Sequence, residues 1–222
     1  MNRKLIAVVA LIALVASGAF AELMIGVSGA LHMDEQLTAN EIQARFEDGE
    51  GIFYGPFLEI AGKHLGFGVA GNFSFYDLGI GAMTYAMMDY DIVGYMSYHL
   101  FGSHFILDPF AELGGGYIAT DFANDADKTQ YNPYKDAPMY ASLYWYGALG
   151  VGVNLGPLGI FGKFAYNYPI NKDFEAEWNP DSPASGGMSG STTLYPYGYD
   201  PVLFDKGYLP KFRVTVGAKL IL

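Results

Sequence analysis

The chain is 222 residues long, carries 23 Asp and Glu against 12 Lys and Arg for a formal net charge of −11, and has no cysteine. That length is one domain's worth. The acidity excludes a phosphate-neutralising surface for nucleic acid, and the missing cysteines exclude disulfides and thiolate metal sites. The 29 glycines beside 18 tyrosines and 16 phenylalanines argue against a soluble sandwich, because glycine inside strands weakens them.

The chain opens as a secretory signal. Arg3 and Lys4 form a charged region, residues 5–16 an apolar core too short to span a bilayer, and Ala19-Phe20-Ala21 a small-x-small cleavage site. Residues 1–21 are thus expected to be removed after export, leaving residues 22–222 as one domain with 10 of the 12 basic residues against 23 acids. Beyond the signal no long uninterrupted apolar segment occurs, which excludes helical spans. The remaining way to place an apolar face in lipid is a closed barrel.

Period-two alternation predicts eight strands. In the first, 23–33, Leu23, Ile25, Val27, Leu31 and Met33 face out, and Met24, Ser28, Ala30 and His32 face in. The second, 52–61, turns Glu59 inward, and the third, 65–76, does the same with Asn72 and Ser74. The fourth, 85–101, alternates Met88, Tyr90, Ile92, Met96 and Tyr98 against Asp89, Asp91, Ser97 and His99. At roughly 3.3 Å per residue it would be about 56 Å long, which exceeds an apolar band near 25 Å even when tilted, so its hairpin should stand above the membrane. The fifth, 105–120, is interrupted by Pro109 and carries Glu112 inward. The sixth, 142–155, sets Leu143, Trp145, Leu149 and Val151 against Tyr144, Tyr146, Gly150 and Gly152. The seventh, 158–170, turns Lys163 and Asn167 inward, and the eighth, 211–222, puts Lys211, Arg213, Thr215 and Lys219 on one face and Phe212, Val214, Val216 and Leu220 on the other.

Tight turns at Gly62-Lys63-His64, Gly102-Ser103 and Gly156-Pro157 alternate strictly with longer connections at 34–51, 77–84, 121–139 and 171–207. Short turns on one side and long loops on the other define an antiparallel up-and-down transmembrane β-barrel of eight strands. Pro109-Phe110-Ala111-Glu112-Leu113-Gly114-Gly115-Gly116-Tyr117 and Gly147-Ala148-Leu149-Gly150-Val151-Gly152-Val153 resemble the glycine-rich strands of the small OmpA/OmpX/OmpW-type outer-membrane barrels. The resemblance extends at the level of pattern over nearly all of residues 22–222. It implies insertion into outer-membrane lipid by the assembly machinery; a monomer is expected, with an extracellular ligand one role open to the loops, and the sequence itself does not establish an oligomeric state.

A barrel of eight strands is just wide enough for inward side chains to fill it, and charges inside it must be paired. Glu59, Asn72, Asp89, Asp91, Glu112, Lys163, Lys211 and Arg213 are expected to form a polar lumen network, with Asp89, Asp91, Lys211 and Arg213 nearer the long loops and Glu59, Glu112 and Lys163 nearer the middle. Lys163 is expected to reach Glu112 across the small Ala148 and Gly150, and Arg213 or Lys211 to pair with Asp89 or Asp91. The inward Gly66, Gly68, Gly150, Gly152 and Gly217 suggest free volume. Two functions follow: an envelope barrel with a filled lumen and acidic interacting loops, or a narrow OmpW-like channel for small, including hydrophobic, molecules. Catalysis is not expected, because His64, His99 and His104 fall near the short turns and His32 has no telling serine motif beside it. No cofactor is expected. The acidic residues of 34–51 lack the spacing of a calcium loop, and the last long loop, polar and rich in Gly, Ser and Pro, reads as mobile.

Overall fold

A computed structural model describes residues 22–33, 52–80, 83–132, 134, 138, 140–170, 174–180, 182–183, 186–194 and 211–222. The expected signal segment, the acidic loop 34–51 and Tyr195-Pro196-Tyr197-Gly198-Tyr199 lie outside them.

Eight long strands form the wall: β1 Glu22–Met33, β2 Ile52–Ala61, β3 Leu65–Ile80, β4 Met83–His99, β5 Leu107–Phe122, β6 Tyr140–Leu155, β7 Leu158–Pro169 and β10 Phe212–Ile221. All pair antiparallel with their sequence neighbours, and β10 closes on β1 from Met24↔Ile221 to Met33↔Phe212, giving a closed barrel. The alternation dictates this closure. Outward residues such as Val27, Trp145, Leu149 and Val216 are more than 60 % exposed, whereas polar Asp91, Asp108, Glu112 and Arg213 are buried. A water-soluble fold buries its apolar face; this one presents it outward, as a wall in lipid must.

Three elements differ from the sequence expectation. The segment expected to be a loop over 77–84 continues β3 and β4 in register up to Ile80↔Met83, because the two arms keep extended backbones that go on satisfying each other's N–H and C=O groups past Tyr76. The 17-residue β4 therefore runs as long as its alternation suggests. The turn between β4 and β5 is longer than Gly102-Ser103: residues 100–106 fold back, with Gly102 at φ +113, a conformation that favours glycine. Third, the long connections contain structure. A short helix α1, Asp125–Tyr131, follows β5, and the last connection holds a hairpin of β8 Phe174–Glu177 and β9 Ser191–Leu194.

Candidate functional site: the charged lumen

Inward side chains stack in three tiers. The upper tier joins β4, β6 and β10. Asp91 accepts from the Arg213 guanidinium and from the Tyr144 hydroxyl, and His32 Nε2 lies 3.9 Å from Asp91 Oδ2 with its ring stacked 4.0 Å from Phe53. Beside it the Ser28 hydroxyl donates to Asn72 Oδ1 at 3.4 Å.

In the middle tier Lys163 Nζ donates to Glu112 Oε1 at 3.1 Å and Oε2 at 2.8 Å, and the Tyr146 hydroxyl donates to Glu112 Oε2 at 2.6 Å. Lys163 also sits 5.1 Å from the Tyr95 ring centre, and Arg213 lies 5.0 Å over Tyr146, so cation–π contact links middle and upper tiers. Lys163 projects from β7 and Glu112 from β5; Ala148 of β6, paired with both Glu112 and Ala165, leaves the gap they cross.

The lower tier lies toward the short turns. His99 Nδ1 is 2.8 Å from Asp108 Oδ2 and its Nε2 is 3.0 Å from Glu59 Oε1. A neutral imidazole has one N–H, so only the imidazolium donates to both carboxylates. Lys219 Nζ approaches Asp108 Oδ2 at 3.5 Å, the Tyr95 hydroxyl donates to Glu59 Oε2 at 3.3 Å, and the Ser97 hydroxyl donates to Glu59. Two cations then face two carboxylates, which is how a buried ionic cluster avoids an uncompensated charge.

Beneath this tier the 100–106 turn crosses the barrel end. Ser103 Oγ donates to Glu22 Oε2 at 3.0 Å and to the Gly62 carbonyl at 3.2 Å, while Asn154 Nδ2 donates to the carbonyls of Ser103 and Phe105 at 2.9 and 2.8 Å.

The sequence-predicted residues distribute as follows. Glu112 meets Lys163, and Arg213 meets Asp91. Asp89 stands higher and accepts from the Tyr76 hydroxyl at 3.3 Å. Lys211 precedes β10, where its carbonyl accepts from Asn167 N at 2.7 Å. Glu59 belongs to the lower tier rather than the middle, because β2 pairs Glu59 with Met24 and Gly68 near the short-turn end. Sequence reasoning missed Asp108, His99 and Lys219 as lumen charges that meet. The signal was present in the period-two placement of His99 and Lys219; Asp108 was hidden by Pro109, which suggested an interruption.

The expected free volume is absent at four of the five inward glycines. A Cβ at Gly68 would strike the Tyr95 ring, at Gly150 the Phe110 ring, at Gly217 the Phe161 ring and at Gly66 the side chains of Glu59 and Ser97, whereas at Gly152 it would meet Asp108 Cβ at 3.6 Å, an ordinary contact. At the first four the missing side chain is a socket for a neighbour's bulk. Ser97, His99 and Asp108 have the connectivity of a nucleophilic triad, with Ser97 Oγ 3.2 Å from His99 Nε2. Ser97 is only 1 % exposed and its hydroxyl is committed to Glu59, so no acyl group has room to reach it.

No protein-family model and no curated protein sequence matches this chain. Its fold is similar to the outer membrane protein OprG from Pseudomonas aeruginosa, with a TM-score of 0.53 and 13 % identity over 91 % of this chain and 96 % of that one. Lower similarity extends to a major outer membrane protein from Thermus thermophilus, at a TM-score of 0.47 and 15 % identity over 91 % of this chain and 100 % of that one, and to the N-terminal β-barrel domain of Pseudomonas aeruginosa OprF, at 0.44 and 9 % over 90 % and 97 %. The chain therefore has the fold of the small eight-stranded outer-membrane β-barrels.

Proposed function

We propose that this protein is an integral barrel of the outer membrane, exported by a cleaved signal peptide, with a closed lumen and a structural or surface-interaction role carried by its loops. The observation that carries the reading is the filling of the interior. Rings occupy the spaces at Gly68, Gly116, Gly150 and Gly217, and each tier offsets its buried carboxylates with Lys, Arg or doubly hydrogen-bonded His. An ion crossing such an interior would have to separate charge pairs in a low-dielectric setting, at several kcal/mol per ion. Lipid covers the apolar wall, the assembly machinery inserts it, and the protein works as a monomer without catalysis.

A second reading, a narrow channel for small molecules, is favoured by one observation. The β2–β3 ladder is interrupted between Tyr54↔Phe73 and Phe57↔Ala70, where Pro56 lacks an N–H to donate, and this weakens the wall locally. Planar-bilayer recording of refolded residues 22–222 separates the two. A folded protein without discrete conductance steps is the expected result; reproducible steps would move transport to the front.

A further inference from the structure

Described parts of two of the long connections, after β5 and after β7, are tied together by contacts that the barrel does not require. Helix α1 has only seven residues and buries none of them. A helix of that length does not persist in water on its own, since nucleation is unfavourable below roughly 12 residues. Its first turn is capped by Asn124, whose Oδ1 accepts from Ala126 N at 2.8 Å. Its last turn is held from elsewhere. Asn179, in the connection between β7 and β10, donates from Nδ2 to the carbonyls of Thr129 at 3.0 Å and Asn132 at 3.3 Å, which are among the orphan acceptors that a helix C-terminus leaves open.

The neighbouring Trp178 forms a bridge with Tyr134, with ring centroids 5.5 Å apart, and its N–H donates to the Gly190 carbonyl at 3.0 Å, beside β9. On the other side the helix is fixed to the barrel: Asn132 Nδ2 donates to Asp121 Oδ1 at 3.2 Å, Lys128 Nζ lies 2.5 Å from Asp121 Oδ2, and the Tyr131 ring is 5.1 Å from Tyr85. The chain of contacts therefore runs from the end of β5 through α1 to the β8–β9 hairpin.

We infer that Trp178 and Asn179 latch α1, so that α1 and the β8–β9 hairpin fold as one extracellular unit and present one composite surface. The inference rests on the reading of these loops as the interacting part of the protein. A partner that displaces the hairpin then unwinds α1, and one that grips α1 steadies the hairpin by the same factor, as linkage requires.

Hydrogen exchange of the refolded full chain in lipid tests this without any partner. Asn179→Asp keeps the side-chain shape but replaces the donor with an acceptor. It is expected to speed exchange at the Lys128 and Asn132 amides, both bonded within α1, about tenfold or more, as losing two ordinary hydrogen bonds predicts. Trp178→Ala should act in the same direction, while barrel-strand amides keep their protection. In the reverse arm, Asn124→Ala should release the Trp178 amide. Unchanged exchange at Lys128 and Asn132 in both latch variants would overturn the inference and mean that the loops fold separately. None of these outcomes depends on whether the lumen conducts, so failure of the closed-lumen reading would show separately.

Discussion

At the scale of single residues, the glycines divide into two kinds that composition cannot distinguish. Inward Gly116 lies under the Tyr144 ring, where a Cβ would overlap it, whereas outward Gly94 has nothing within 4 Å of that position. Gly116→Ala should therefore cost about 1–3 kcal/mol through overpacking, while Gly94→Ala should stay within about 0.5 kcal/mol. Urea titration of the two variants refolded in the same lipid reads the difference directly, and equal midpoints would refute the socket account. The ion pairs follow a similar logic. Lys163 is charge-compensated by Glu112 through two hydrogen bonds, so Glu112→Ala, which leaves a buried ammonium alone, should cost about 3–5 kcal/mol. The swap Glu112→Lys with Lys163→Glu should recover more folding than either single change. If it recovers none, the pair is not what holds the middle tier.

Element by element, what the sequence reveals depends on whether a repeating environment enforces a pattern. Each wall strand has lipid-type surroundings on one side and a packed polar interior on the other, so the alternation from Leu23 to Met33 or from Phe212 to Leu220 states its facing directly. The pairing continues past Tyr76, and β3 follows it to Ile80; Asp77 resembles a loop residue only when the pairing that covers its backbone is out of view. No such repeat exists for α1, whose Asp125-Ala126-Asp127-Lys128-Thr129-Gln130-Tyr131 buries no residue and whose last turn is met by Asn179 far along the chain. The 100–106 turn is likewise fixed by a distant residue. Asn154 spends both of its amide hydrogens on the Ser103 and Phe105 carbonyls, so Asn154→Ala should orphan them, costing about 1–3 kcal/mol. Proteolysis near Phe101 and Phe105 should quicken correspondingly. An unchanged cleavage rate would mean that the Ser103 contacts to Glu22 and Gly62 suffice alone.

For the molecule as a whole, the ingredients of the lumen were legible and their grouping was not. Period two identifies Glu59, Asp91, Glu112, Lys163 and Arg213 as inward, but which of them meet depends on the stagger accumulated around the closed sheet, and a closed barrel fixes that stagger only when β10 pairs with β1. Glu59 consequently falls beside His99 instead of Lys163. On the closed-lumen reading proposed above, the stagger also makes closure redundant. Asp91 with Arg213 and Tyr144, Glu112 with Lys163 and Tyr146, and Glu59 and Asp108 with His99 and Lys219 occupy successive levels, and the rings of Phe57, Phe161 and Phe110 meet edge to face, at 5.3 and 6.3 Å. A path for ions has to breach every level, so conductance should respond to truncation conjunctively rather than in proportion. Phe161→Ala alone, which empties the Gly217 socket, should leave a cavity of the kind that lowers stability by about 3–5 kcal/mol while planar-bilayer recordings remain silent. Glu112→Met combined with Lys163→Met should be silent as well, because the ionic levels above and below it stay shut. Discrete steps from either variant would show that a single level holds the lumen closed, and the tiers would then be a gate with one bolt instead of a filled core.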